Sequence, residues 1–159
     1  MRETIADKIL NLMRDNFGTR FTFYYGDPLF IPQQSLPALM VQKRRTTVQP
    51  GATGMEVLQH TISVKVSYNV KDDYLKNGGE VPGQRSLEEL TEGIDENTGE
   101  FAAQSIAGIL QRNFTLGDSA TDQTLDISYE PGMRDTNTFT TEAEVTCSIE
   151  ELLTLTGRS

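Results

Sequence analysis

Enzymatic chemistry needs side chains that can move a proton, attack a carbon or hold a metal, and this chain has few of them. There is one histidine, His60, and one cysteine, Cys147. A serine-type triad would have to run through His60. That residue sits on the apolar parity of a long alternating segment, near its entry, and reads as a structural histidine at a sheet margin. Cys147 lies on the apolar parity of another alternating segment, with no basic neighbour in sequence to activate it, and reads as a small buried hydrophobe. One cysteine excludes an internal disulfide and a thiolate zinc site. The phosphate-cradling patterns GxxxxGK(S/T) and GxGxxG are absent, as is HExxH. Adjacent carboxylates occur at Asp72-Asp73, Glu88-Glu89, Asp95-Glu96 and Glu150-Glu151, but nothing selects two of them for acid–base work, and solvated acids are the reading. The stretch Asp95 to Gly99 faintly resembles a calcium loop and fails at its twelfth position, Ile106. Asn113-Phe114-Thr115 fits a glycosylation sequon, read as chance because MRETIADKIL does not look like a secretory signal. These residues point to no enzyme, no metal and no cofactor. The run Lys43-Arg44-Arg45 could touch phosphate, yet inside an acidic protein it reads as a solvated or protein-binding patch.

The elements that would position these groups belong to one domain covering 1–159. At 159 residues and 36% hydrophobic content, about 70% of the unfolded surface can be buried, enough for a core without disulfides. No apolar run approaches the roughly 20 residues of a membrane span. The formal charge of -9 argues against general nucleic-acid binding. That charge is uneven. Residues 1–79 hold ten basic and seven acidic side chains, a net of +3, and residues 80–159 hold four basic and sixteen acidic, a net of -12. Such asymmetry fits an acidic solvated face, a partner surface or a self-assembly surface.

Ile5, Ile9, Leu12 and Met13 recur at helical spacing, Phe17 extends the stripe, and Gly18 is a natural stop. Phe21, Phe23 and Tyr25 alternate as a short strand, and Gly26-Asp27-Pro28 turns the chain into an irregular apolar connection ending at Pro37. A strand begins near Ala38, with apolar residues on both faces. From Gln42 it becomes polar on both faces, so its continuation is expected to project as half of a hairpin spanning roughly 43–57. Pro50, Gly51 and Gly54 supply the turn. The return strand alternates from Leu58 to Val70, the pattern of a strand buried on one side. A flexible loop is expected over 72–85, then a helix opened by the capping box Ser86 to Glu89 with the stripe Leu87, Leu90, Ile94. After a break at 95–99 a second helix carries Ala102, Ile106, Ile109 and Leu110, with Phe114 extending it; one continuous helix is disfavoured by Gly93 and Gly99. A final hairpin pairs Leu125, Ile127 and Tyr129 with a strand from Phe139 to Ile149, and Pro131-Gly132 begins its connection. The fold class expected is α+β: a mainly antiparallel sheet of two hairpins plus a short strand, packed with an N-terminal helix and one or two central helices.

Three stretches carry a resemblance: the N-terminal helix followed by Leu36-Pro37-Ala38 opening a strand; TISVKVSYNVKDD at 61–73; and FAAQSIAGILQRNFTLGD at 101–118 followed by ISYEPGMRD and FTTEAEVTCSIEEL. In order and texture they resemble the tail-terminator (tail-completion) and neck proteins of tailed bacteriophages, over most of the chain and without a diagnostic short motif. The resemblance implies a virion structural protein of the tail or neck, assembled in the host cytoplasm. It implies a ring, often of six copies, that caps the tail tube, meets the head-side connector and lets genomic DNA pass unbound, with no membrane partner. A head–tail joining or minor tail protein is the neighbouring alternative, and a soluble cytoplasmic α+β binding module the alternative from another class.

Two expectations about residues accompany this. Lys43, Arg44 and Arg45 would face Glu142, Glu144 and Glu150 of the next copy, giving complementary charge to a heterologous contact. Glu88, Glu89, Glu92, Asp95 and Glu96, or the acidic face of the last strand, would line a lumen that repels phosphate.

Overall fold

The protein is described here from a computed structural model covering residues 3–69, 84–117, 119–135 and 138–154. Helix α1, Ile5–Phe17, is opened by Thr4, whose hydroxyl accepts the Asp7 N–H while Asp7 reaches back to the Thr4 N–H. Gly18 closes it at φ 57°, the left-handed conformation expected of that glycine. Strands β1 (Thr22–Tyr25), β2 (Ala38–Pro50), β3 (Met55–Asn69), β4 (Asp122–Asp135) and β5 (Thr138–Thr154) form one sheet in the order β1-β2-β3-β5-β4. Only β1 and β2 run parallel; every other pair is antiparallel. The two hairpins, β2–β3 and β4–β5, are thus joined along β3 and β5, with β1 appended at one edge. The α+β class holds.

Alternation along each strand sorts side chains onto two faces. The front face carries Leu39, Val41, Ile62, Val64, Val66, Ala143, Val145, Cys147 and Ile149, all buried beneath α1, α2 (Gln84–Glu92) and α3 (Ile106–Arg112). Ile9, Met13, Leu87, Ile106 and Leu110 are the largest side chains that the helices bury fully. Each such side chain stabilises by about 1.5–3 kcal/mol. Phe17, Phe21, Phe23 and Tyr68 close one end of this layer with edge-to-face ring contacts of 5.3–6.3 Å.

The back face differs from the expected solvated one. Ser63, Lys65 and Ser67 of β3 are buried, so β3 is covered on both sides between Ile62 and Ser67. The cover is the connection 26–37, which carries the chain from β1 to β2 and seats Ile31 against Ala38 and Met40. Both faces of β2 are therefore buried near Ala38, as the sequence indicated.

Four further expectations need correction. The helix is already formed at Gln84, so Ser86 lies within α2 and does not cap it, and Gln84 and Arg85 leave the expected loop; residues 72–83 of that loop lie outside the described residues. Ile94 is 62% exposed, bridging Phe101 instead of continuing the stripe. Phe114 stands exposed beyond α3, which ends at Arg112. Pro131 and Gly132 are not a turn but part of β4. An outer strand tolerates proline because an outward position needs no N–H, and Gly132 is required because a Cβ there would sit 2.9 Å from the Glu142 carboxylate.

Among the described residues no helix is long and apolar enough to cross a membrane. Ser105 caps α3 by accepting the Gly108 N–H at 3.0 Å, and a Cβ on Gly108 would collide with the Ala102 carbonyl oxygen. Backbone cannot yield as a side chain can. Gly108→Ala is expected to cost about 1–3 kcal/mol in urea unfolding, whereas Gly117→Ala, with open space around it, costs only its backbone strain.

Candidate functional site

The most concentrated chemistry lies on the back face, around a residue the sequence reading did not single out. Arg134, next to a bulge near the end of β4, is 8% exposed. Its Nε and Nη2 donate to Glu142 Oε2 and Oε1, each at 2.7 Å. Its Nη1 donates to Asp27 Oδ1 at 2.5 Å and to the Pro28 carbonyl at 2.7 Å. Lys65 Nζ completes the set at 2.9 Å from Asp27 Oδ2. Ser67 and Thr140 hydroxyls donate to Glu142 Oε2 at 2.7 and 2.8 Å. Two cations and two carboxylates thus neutralise one another within a fully hydrogen-bonded cluster. Burial pushes the Glu142 carboxyl up, but the hydrogen bonds from Arg134, Ser67 and Thr140 and the nearby positive charge outweigh it and hold it below its ordinary value. Asp27 behaves likewise, with burial opposed by Lys65 and Arg134. Hydrogen bonding to Glu142, against the cost of burial, raises the guanidinium's own pKa further.

This corrects one expectation. Glu142 is 3% exposed and committed to Arg134, so it is not a charge available to a neighbouring copy. Glu144, on the same face, accepts Arg44 Nη2 at 2.5 Å and the Ser63 hydroxyl at 2.7 Å. The Arg44–Glu144 attraction anticipated between copies is formed within one chain. Alternation from Val41 places Arg44 on the back face, and the bulge between Lys43 and Arg45 leaves it there as the extra residue, without a partner in the ladder. Glu150 is half-buried and takes a 2.9 Å hydrogen bond from Thr121. Lys43 and Arg45 are exposed and have no ion-pair partner among the described residues.

The projecting hairpin is present and broader than expected. From Lys43 to Pro50 every residue of β2 is exposed, and Met55 to Gln59 of β3 are half-buried. β5 accompanies them to Thr154, so three strands extend together past the helical layer. At the root of this tongue His60 is 4% exposed. Its Nε2 lies 3.0 Å from Glu151 Oε1 and its Nδ1 3.1 Å from the Thr46 hydroxyl. Hydroxyl, imidazole and carboxylate thus stand in line across three strands, an order known from nucleophilic sites. Here the row bolts β2, β3 and β5 together where the apolar core stops, as a structural histidine at the sheet margin would.

Of the acids proposed for a lumen, Glu88, Glu89, Asp95 and Glu96 are exposed. Glu92 is half-buried and accepts the Tyr129 hydroxyl at 2.6 Å, which together with burial raises the tyrosine pKa. Asp95 receives the Asn97 N–H at 2.8 Å in a local turn. Cys147 is buried and its thiol pKa is pushed up to about 12 by burial, the inert state its position indicated. Among the described residues no group of three or more His, Cys, Asp or Glu is placed to hold a metal. An apolar depression of about 450 Å³ beside Tyr129, Pro131 and Phe139 is lined by a single carboxylate, Glu130.

No family model matches this chain, and no curated protein matches it by sequence.

The charged cluster sets an acid limit on stability. Asp27 and Glu142 both titrate below their ordinary values when folded. Their contribution is therefore complete above the unfolded carboxylate range and is lost as pH falls through the lower folded values. Urea midpoints are expected to hold from neutral pH to about 5 and drop below about 4. Glu142→Gln at pH 7 is expected to cost about 3–5 kcal/mol, because it strands the buried guanidinium.

Proposed function

We propose that this chain is a virion structural protein of a tailed bacteriophage. In this reading it is a tail terminator whose copies, six by the resemblance, close into a ring over the end of the tail tube and offer a seat to the head-side connector. The observation that carries the reading is the three-stranded tongue. Its outer strand β2 is exposed from Lys43 to Pro50, so that Lys43, Arg44, Arg45, Thr46 and Thr47 lie at the surface. A structure that extends a sheet beyond its own core supplies surface for another protein.

The residues with catalytic potential support a non-enzymatic role. His60 is tied at both ring nitrogens, Cys147 is buried, and the largest gathering of charge is internally neutralised. The acidic second half suits a protein that surrounds DNA without holding it. Exposed Glu88, Glu89, Asp95 and Glu96 would repel phosphate wherever they met it.

A virus lacking the protein is expected to build overlong tail tubes, and electron microscopy of particles is expected to place the protein at the head-proximal end of the tail. Free heads beside tails of normal length would instead assign it to head–tail joining. A purified chain that ignores tail tubes and remains single would assign it to the cytoplasmic binding modules.

A further inference from the structure

The sheet has two outer edges, and they differ in length, chemistry and charge. On one side β1 covers β2 only from Ala38 to Val41, with Gly26 N–H closing on the Val41 carbonyl at 2.8 Å. From Gln42 to Pro50 no described strand lies beside β2. The direction of its free main-chain groups follows from two facts. Gly51 N–H bonds back to Met55, so 51 and, by alternation, 49 and 47 face β3. Pro50, which has no N–H to lose, takes an outward position, and Thr46 and Val48 share it. On the other side β4 is the outer strand throughout, and its outer side is met among the described residues only where Ile31 N–H reaches the Arg134 carbonyl.

Charge divides the same way. The open part of β2 carries Lys43, Arg44 and Arg45, and its bulge leaves Arg45, opposite Thr61, on the back face. β4 carries Asp122, Asp126 and Glu130, all exposed and all on the back face, opposite Glu150, Thr146 and Glu142. β2 and β4 run in opposite directions within the sheet, since three antiparallel pairings separate them. A rotation that carries one copy onto its neighbour without inverting the sheet therefore sets β2 of the first antiparallel to β4 of the second. It also keeps both back faces on one side.

We propose that neighbouring copies join by strand addition, the open outer half of β2 in one copy receiving β4 of the next, with Arg45 against the row Asp122, Asp126, Glu130. The occupant is a second copy of this chain, and the inference rests on the ring reading. It moves the partner carboxylates from Glu142 and Glu144, which are satisfied internally, to those of β4. Main-chain hydrogen bonds supply the attachment and the charges set its polarity.

The test uses the full chain, with ring formation followed by native mass spectrometry and negative-stain microscopy over a concentration series, and folding checked by circular dichroism. Val48→Pro removes an outward N–H and leaves the β2–β3 ladder intact. Arg45→Glu and the pair Asp126→Lys/Glu130→Lys each bring like charges together. All three proteins are expected to fold, and the concentration needed for rings to rise about tenfold or more. Combining Arg45→Glu with Asp126→Lys/Glu130→Lys is expected to recover assembly. Rings that form as readily with Val48→Pro as with wild type would overturn the strand addition and leave the ring reading standing. A combined variant no better than its parents would overturn the charge pairing. A wild-type chain that never assembles, alone or on tail tubes, would remove the ring reading and this inference with it.

Discussion

A guanidinium enclosed by two carboxylates holds the least regular part of this protein in place. Arg134 grips Glu142 through two parallel hydrogen bonds and Asp27 through a third. Glu142 belongs to β5, Asp27 to the connection after β1, and Lys65, which shares Asp27, to β3. One cluster therefore fixes the end of the β4–β5 hairpin, the centre of the sheet and the start of the segment 26–37. That segment has three prolines and little regular structure of its own, so without an anchor it would not be held over the back face. Ile31, Ala38 and Met40 contribute apolar burial there, but three side chains form a small core. The charged cluster also dictates Gly132, because the Glu142 carboxylate occupies the space a side chain would need.

Burying charge is expensive, and the arrangement shows how the cost is contained. Each carboxylate oxygen of Glu142 has a donor, and Arg134 uses donors on all three of its nitrogens. Bidentate geometry makes such bonds short and directional. A hydrophobic pair of similar volume could match the stability, but it would not define where the connection sits with the same angular precision. The tongue is stabilised differently. Beyond Thr61 the apolar core ends, and the three strands are held by the main-chain ladder, the His60 row and the Arg44–Glu144 pair.

The elements with strong periodicity were legible in the sequence. The α1 stripe, its Gly18 stop, the turn at 50–54 and the apolar front faces of β3 and β5 follow from local rules; the expected solvated back face of β3 did not survive, because tertiary contacts bury Ser63, Lys65 and Ser67. Two of the errors share one cause. Ile94 and Pro131-Gly132 carry local signals for a stripe and a turn that pairing with Phe101 and with β5 overrode, and Ser86 carries a cap signal inside a helix already formed at Gln84. The back-face cluster was hidden because its members lie far apart in sequence: Asp27, Lys65, Arg134 and Glu142 share no motif. One signal was available. No other basic residue occurs between Arg112 and Arg158 in a strongly acidic stretch, so Arg134 was the only cation there able to compensate buried acid. Glu142 looked like part of an acidic outer face because alternation assigns a side chain to a face but not to solvent.

Sheet order turns a charge split along the chain into a charge split across space. Because β3 and β5 meet at the centre, the first-half hairpin and the second-half hairpin lie side by side, with their outer strands, β2 and β4, on opposite flanks. Lys43, Arg44 and Arg45 of the first half and Asp122, Asp126 and Glu130 of the second therefore lie on opposite edges of one sheet. An open edge is ordinarily a hazard, since any strand can add to it. Opposite charge on the two edges makes the hazard selective. Two β2 edges would bring Arg45 and Lys43 against their own copies, and two β4 edges would bring Asp122, Asp126 and Glu130 together, so the self-matching two-fold dimer is repelled at both flanks. The pairing left favourable is unlike edge to unlike edge, a heterologous contact, which gives a ring where the rotation between copies closes, as the proposed function requires. Polarity built into a single sheet in this way disfavours the two-fold dimer and is compatible with the proposed ring.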